Sequence, residues 1–208
     1  MAMAAAVAGC RTTRVDPAWN AGSWDLATLQ PLRVVVVDTR PGARQALETA
    51  FVRELDDRGI RAETTFADPA LSLDRIDADE TAAARRMAEE GAGGVLLVRW
   101  LDEQLIRRLE GRRPPDIELK PYQFDPAVPV RSWTRYYDDS YAYAGEIQKV
   151  RTNRLVSLET TLYRLPEGTL LWRARTETFV PHGRTPPQRR ELLVRGLVRA
   201  LLKAEHAP

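Results

Sequence analysis

Apolar residues along the chain change spacing several times, and each change marks an element. Leu32-Arg-Val-Val-Val-Val-Asp38 is a short β-branched run, the pattern of a parallel strand buried on both faces. From Ala43 the spacing becomes helical. Ala43, Ala46, Leu47, Ala50 and Phe51 share one stripe, Leu55 continues it, and Gly59 supplies the stop. Ile60 to Phe66 alternates and predicts a second strand. After a loop opened by Asp68-Pro69, Asp77 with Glu80 three residues later forms a capping-box pattern. It predicts a helix to about Glu90, ended by Gly91. Gly94-Val-Leu-Leu-Val98 predicts a third strand continuing through Trp100 and Leu101. This β-α-β-α-β order implies right-handed crossovers between parallel strands, with the first strand beside the third.

The second half reads differently. Residues 107–145 carry Pro114, Pro115, Pro121, Pro126 and Pro129, which break regular structure, and form a loop longer than compact domains usually hold. Val150 to Arg164 then predicts a long strand. Val156, Leu158, Thr160 and Leu162 face one way; Ser157, Glu159, Thr161 and Tyr163 face the other. Pro166-Glu-Gly168 is a hairpin turn, and Thr169 to Phe179 the returning strand. Thr185-Pro-Pro-Gln188 is a second capping pattern, with proline at the first helical position. The last helix has Leu193, Leu197, Ala200 and Leu201 on one stripe, opposite Arg195, Arg199 and Lys203. The expected class is α/β with α+β character: a mixed five-stranded sheet in the order β-α-β-α-β, long loop, β-β-α. No internal repeat is visible.

Composition narrows the function classes. The chain has 208 residues, 44% hydrophobic and 29% charged, an ordinary globular balance that suits one domain. Its 31 basic and 29 acidic residues leave a net charge of only +2, and no basic run appears, so nucleic acid is not an expected partner. One cysteine excludes an intramolecular disulfide. No stretch approaches the roughly 18 apolar residues that cross a bilayer as a helix.

That one cysteine has a specific setting. A small apolar run ends in Val7-Ala8-Gly9-Cys10, which resembles the lipobox of bacterial lipoproteins. The resemblance implies a diacylglyceryl group on the Cys10 sulfur, and therefore membrane attachment by a lipid anchor. Residues 1–9 then read as the remnant of an export leader whose positive region lies upstream. Arg11 stands where an aspartate would resemble an inner-membrane retention signal, so the outer membrane is favoured. Residues 10–31 read as a lipidated tether, with Trp19 and Trp24 covering an apolar edge, and residues 32–208 as one α/β domain carrying the long loop.

Chemistry is sparse. His206 is the third residue from the end and His182 sits in a Pro-His-Gly turn, so a catalytic base is not expected of either. Asp138, Asp139 and Glu146 make at best a weak oxygen site, and a solvated turn is the plainer account. Gly91-Ala-Gly-Gly94 precedes a strand, so it reads as a helix stop and turn rather than a phosphate cradle. Asp38 ends the first strand, where α/β folds bind ligands, but capping the next helix suits it better. No catalytic residue, metal ligand or cofactor is expected. The richest surface candidate is the aromatic cluster Trp133, Tyr136, Tyr137, Tyr141 and Tyr143, interleaved with Arg131 and Arg135. It reads either as a partner- or ligand-binding surface or as a lid folded back on the sheet.

The blocks Leu158-Glu-Thr-Thr-Leu-Tyr163, Leu171-Trp-Arg-Ala-Arg-Thr-Glu-Thr178, Gly91 to Val98 and Glu48 to Val52 resemble recurrent blocks of an uncharacterised group of bacterial lipoproteins. The likeness spans roughly residues 32–205. The element order also resembles the small α/β domain at the N-terminus of TolB, a fold-level analogy that carries no function. Together these imply a non-enzymatic cell-envelope lipoprotein, facing the periplasm from the outer membrane, that binds a protein partner or supports an envelope assembly. The alternative is a periplasmic small-ligand or glycan-binding domain using residues 131–143.

Overall fold

The computed structural model describes residues 12–22, 24–109 and 150–205. The chain divides into two compact units, Met1–Gln104 with Arg154–Pro208, and Leu105–Asn153. Of the second, only 105–109 and 150–153 are described, and they are strand. The described elements are strands β1 (Thr13–Asn20), β2 (Leu32–Val37), β3 (Ala62–Thr64), β4 (Gly94–Leu109), β5 (Val150–Arg164) and β6 (Thr169–Val180). The helices are α1 (Pro41–Asp56), α2 (Leu73–Ala78), α3 (Glu80–Glu89) and α4 (Pro186–Glu205).

The class is mixed α/β. One sheet runs in the order β1-β6-β5-β4-β2-β3. β2 is parallel to both β3 and β4, which puts the first predicted strand beside the third as its crossovers require. β5 and β6 form the antiparallel hairpin about Pro166 to Gly168. The sheet has six described strands, not five. The extra one is β1, from the stretch expected to be tether; it pairs antiparallel with β6 from Thr13 opposite Thr178 to Asn20 opposite Trp172. Pro17 lies in β1, at a bulge on a sheet edge, where a missing N–H costs no ladder bond.

Alternation along the strands builds two unequal layers. Val34, Val36, Leu96, Val98, Val156, Leu158, Leu162, Trp172 and Ala174 face α1 and α4 in the main core, against Leu47, Phe51, Leu55, Leu193, Leu197 and Leu201. Each such side chain contributes roughly 1.5–3 kcal/mol on burial. On the opposite face, Val35 and Val95 meet Leu71, Ala83 and Met87 in a smaller cluster under α2 and α3. Trp24 is buried in the main core with its Nε1 donating to Asn20 Oδ1 at 2.7 Å, whereas Trp19 is 44% exposed.

Local signals shifted in places. Asp79, not Asp77, caps the third helix, accepting from Ala82 N at 2.8 Å; Asp77 lies inside the short α2. The second predicted strand shrinks to three residues. Gln188 reaches back to Thr185 N at 3.0 Å, half of a capping box at the start of α4. Gly91 has φ +93, and a Cβ on Gly93 would stand 2.8 Å from the Leu29 backbone. The glycine run is thus a helix stop, as its sequence suggested, followed by a close backbone crossing that the sequence did not show.

Candidate interaction face

Among the described residues, α2 and α3 are the only α-helices on their side of the sheet, and their cluster takes in Val35 of β2, Val95 of β4 and Tyr163 of β5. The outward positions of β1, β6 and β5 carry mainly charged and polar side chains instead, whereas β4 turns Val95 and Leu97 outward before Arg99. Their orientation follows from the pleat: the even residues of β5 and β6 fill the main core, so the odd ones face away. In register, Asp16, Arg175 and Glu159 lie side by side across three strands, and Arg14, Glu177 and Ser157 form the next row. Signs alternate across most of each row, the arrangement in which cross-strand pairs attract.

Glu159 is the hub. It accepts from Arg173 Nε at 2.7 Å and also pairs with Arg99 of β4, so one carboxylate ties three strands. Its side chain is only 12% exposed, while Arg99 and Arg173 are 51% and 45% exposed. Burial alone pushes the Glu159 carboxyl up, but hydrogen bonds and charge from Arg173 and Arg99 outweigh it and hold it below the usual carboxylate range. Arg14 pairs with Asp16 at 3.1 Å and Arg175 with Glu177 at 3.3 Å. Val37 and Leu101 add exposed apolar area beside Arg99. Ser157 and Thr161 on this face are buried, and the accessible part is the charged fringe of Arg14, Arg99, Arg173 and Arg175, suited to recognising another surface rather than enclosing a small molecule.

A second ionic cluster is closed. Arg44 and Glu48, both on α1, are buried. Glu48 Oε1 accepts from Arg44 Nε at 2.8 Å and from Val36 N at 3.2 Å; Oε2 accepts from the backbone N–H groups of Thr65 and Phe66, both at 2.8 Å. Arg44 Nη2 donates to Thr65 Oγ1 at 2.9 Å and to the Leu71 carbonyl at 3.0 Å. Every oxygen of Glu48 is engaged, so the cluster clamps α1 to the ends of β2 and β3 and has no lone pair to offer a substrate. Sequence reading passed over it, because the two charges sit inside an apolar stripe. Their i,i+4 spacing there is the one available signal.

Other expectations have their places. Asp38 does not cap α1: the cap residue is Arg40, without a side-chain bond. Asp38 accepts instead from Arg40 N at 2.9 Å and Arg40 Nη2 at 2.7 Å, and those bonds hold its carboxyl below the usual range. His182 is exposed in the turn after β6. Cys10, Arg131, Trp133, Arg135, Tyr136, Tyr137, Asp138, Asp139, Tyr141, Tyr143, Glu146 and His206 lie outside the described residues. Among the described residues, no group of three His, Cys, Asp or Glu is placed to hold a metal, and no helix is long and apolar enough to cross a membrane.

No family model and no curated protein matches the chain. Among solved structures, the PelC dodecamer from Paraburkholderia phytofirmans is similar at 12% identity and a TM-score of 0.49, over 94% of this chain and 99% of that one. A single-substitution variant of the same dodecamer is similar at 12% identity and 0.47, over 89% and 95%.

Proposed function

We propose that this chain is a non-enzymatic cell-envelope lipoprotein, anchored through Cys10 at the outer membrane and facing the periplasm, that holds a protein partner on the sheet face around Glu159, which no helix covers among the described residues. The observation that carries the partner-binding part is the three-strand lattice centred on Glu159, whose flanking Arg99, Arg173 and Arg175 stay about half exposed. Such a lattice gives register and orientation to a docked surface more than raw affinity. The anchor rests on Val7-Ala8-Gly9-Cys10, since several acyl chains on one sulfur give durable attachment. A second reading, capture of a small ligand or glycan by Trp133, Tyr136, Tyr137, Tyr141 and Tyr143, is favoured by the aromatic density of that segment.

Two measurements test the proposal. Cys10→Ser in the full-length gene is expected to release the protein from the membrane fraction and remove the lipid mass; unchanged fractionation and a native mass without lipid would end the anchor. A photo-crosslinking residue at position 99 or 175, in intact envelopes, is expected to trap a partner that the same residue at position 85 on α3 does not. Equal yields at all three positions would dismiss the open face as the docking surface.

A further inference from the structure

On the helix-covered side of the sheet, α1 and α4 leave a half-open groove of about 320 Å³ between them. Its α1 wall is one helical stripe: Gly42, Gln45, Ala46, Thr49 and Arg53. Its α4 wall is Pro187 and Arg190. Glycine and alanine keep the floor low, Gln45 and Thr49 supply donors and acceptors, and the two guanidiniums give the groove its charge.

Those guanidiniums are unusual for their neighbourhood. Two nearby carboxylates are engaged elsewhere: Glu54 pairs with Arg58 at 2.7 Å and lies 3.9 Å from Arg195, and Glu191 pairs with Arg195. Asp57, four positions after Arg53, meets Arg53 only through its backbone N–H on the Arg53 carbonyl. The side chains of Arg53 and Arg190 have no hydrogen bond or ion pair among the described residues. Neither α1 nor α4 has an acidic residue in its first turn to offset the charge. Arg189, next to Arg190, keeps a buried Nε without a partner among the described residues. Two free planar donors facing one polar groove match the oxygens of a phosphate, which accept paired guanidinium bonds. The volume lies at the lower end of small-ligand sites, room for a phosphate on a small hydroxylated body.

We propose that the α1–α4 groove binds a phosphate-bearing anion of glycerol-phosphate size, with Arg53 and Arg190 on the phosphate and Gln45 and Thr49 on the hydroxyls. The same chemistry comes from a soluble phosphoester or from a phospholipid headgroup, so the test has two arms. The full chain is titrated, at about 0.15 M salt where long-range charge effects are screened, with glycerol phosphate and separately with phosphatidylglycerol vesicles. Saturable binding is expected on at least one arm. Binding of glycerol phosphate identifies a soluble ligand; binding of vesicles alone identifies a headgroup. The double variant Arg53→Gln, Arg190→Gln is expected to weaken it at least tenfold. Ala46→Leu, which fills the groove without changing charge, is expected to do the same. The charge-matched pair Arg75→Gln, Arg85→Gln, on α2 and α3, is expected to leave it unchanged, with thermal melting confirming that each variant folds. No saturable binding on either arm, equal weakening by both arginine pairs, or full binding by Ala46→Leu would each overturn the proposal.

Discussion

Glu48 and Glu159 are both carboxylates gripped by arginine, and their surroundings give them opposite work. Glu48 is fully buried and its partners are an arginine, a hydroxyl and three backbone N–H groups, all within 3.3 Å. Glu159 has two arginine side chains, each about half in water. Backbone donors are fixed by the fold and cannot be redirected, so the first cluster is a clamp. Half-exposed arginine side chains keep donors that can turn outward, so the second cluster can rearrange where the first cannot. Satisfaction of hydrogen bonds, more than charge, separates the two.

The sharpest way to break the contrast is Glu48→Ala. It leaves Arg44 charged and buried, along with orphaned N–H groups on Val36, Thr65 and Phe66, and is expected to cost about 3–5 kcal/mol in urea unfolding. Replacing both partners, as Arg44→Met with Glu48→Leu, is expected to recover much of the arginine part of that loss, while the orphaned backbone N–H groups hold back the rest. A double variant as unstable as Glu48→Ala alone would show that the pair itself, not its incomplete removal, matters.

Glu159→Gln is expected to cost less, about 1 kcal/mol, because its arginines rehydrate when freed. It also has a pH signature that sharpens the comparison. The Glu159 carboxyl titrates below its unfolded value, so its contribution is complete above the ordinary carboxylate range and drains away as pH falls through the lowered value. The unfolding free energy of the parent is expected to fall more steeply on acidification than that of Glu159→Gln; parallel curves would remove Glu159 from the account. Smallest of all, Asp16→Ala at the exposed Arg14 pair is expected to change stability by less than about 0.5 kcal/mol, and that little should vanish near 1 M salt.

Much of the fold was legible in residue spacing. The Val34 to Val36 run, the Gly94 to Val98 run, the hairpin about Gly168 and the stripe of Leu193, Leu197 and Leu201 all fell where their periods put them. What escaped depended on long-range pairing. Pro17 argued against a strand at Thr13–Asn20, and only β6 supplying an edge made one tolerable there. Asp77 and Asp79 offered rival caps two residues apart, and a short extra turn of helix decided between them. The lattice around Glu159 is half visible in the sequence: alternation sets Glu159 on the face opposite Val156, Leu158 and Leu162, but Arg99 and Arg173 come from other strands and meet it only in the folded sheet. The clamp at Glu48 showed only in the i,i+4 spacing of Arg44, since its backbone donors belong to segments 12 to 18 positions away.

The edge strand β1 has a geometric corollary. It begins at Thr13, so three peptide units separate it from Cys10, a span of at most about 11 Å fully stretched. A flexible leash through residue 31 would have let the domain roam some 70 Å from its anchor by the same measure. With Cys10 acylated, the domain has almost no swing. Under the proposed anchor the strand's first residues would ride at the headgroups like a hull at its mooring, and a partner would have to come to it close against the bilayer.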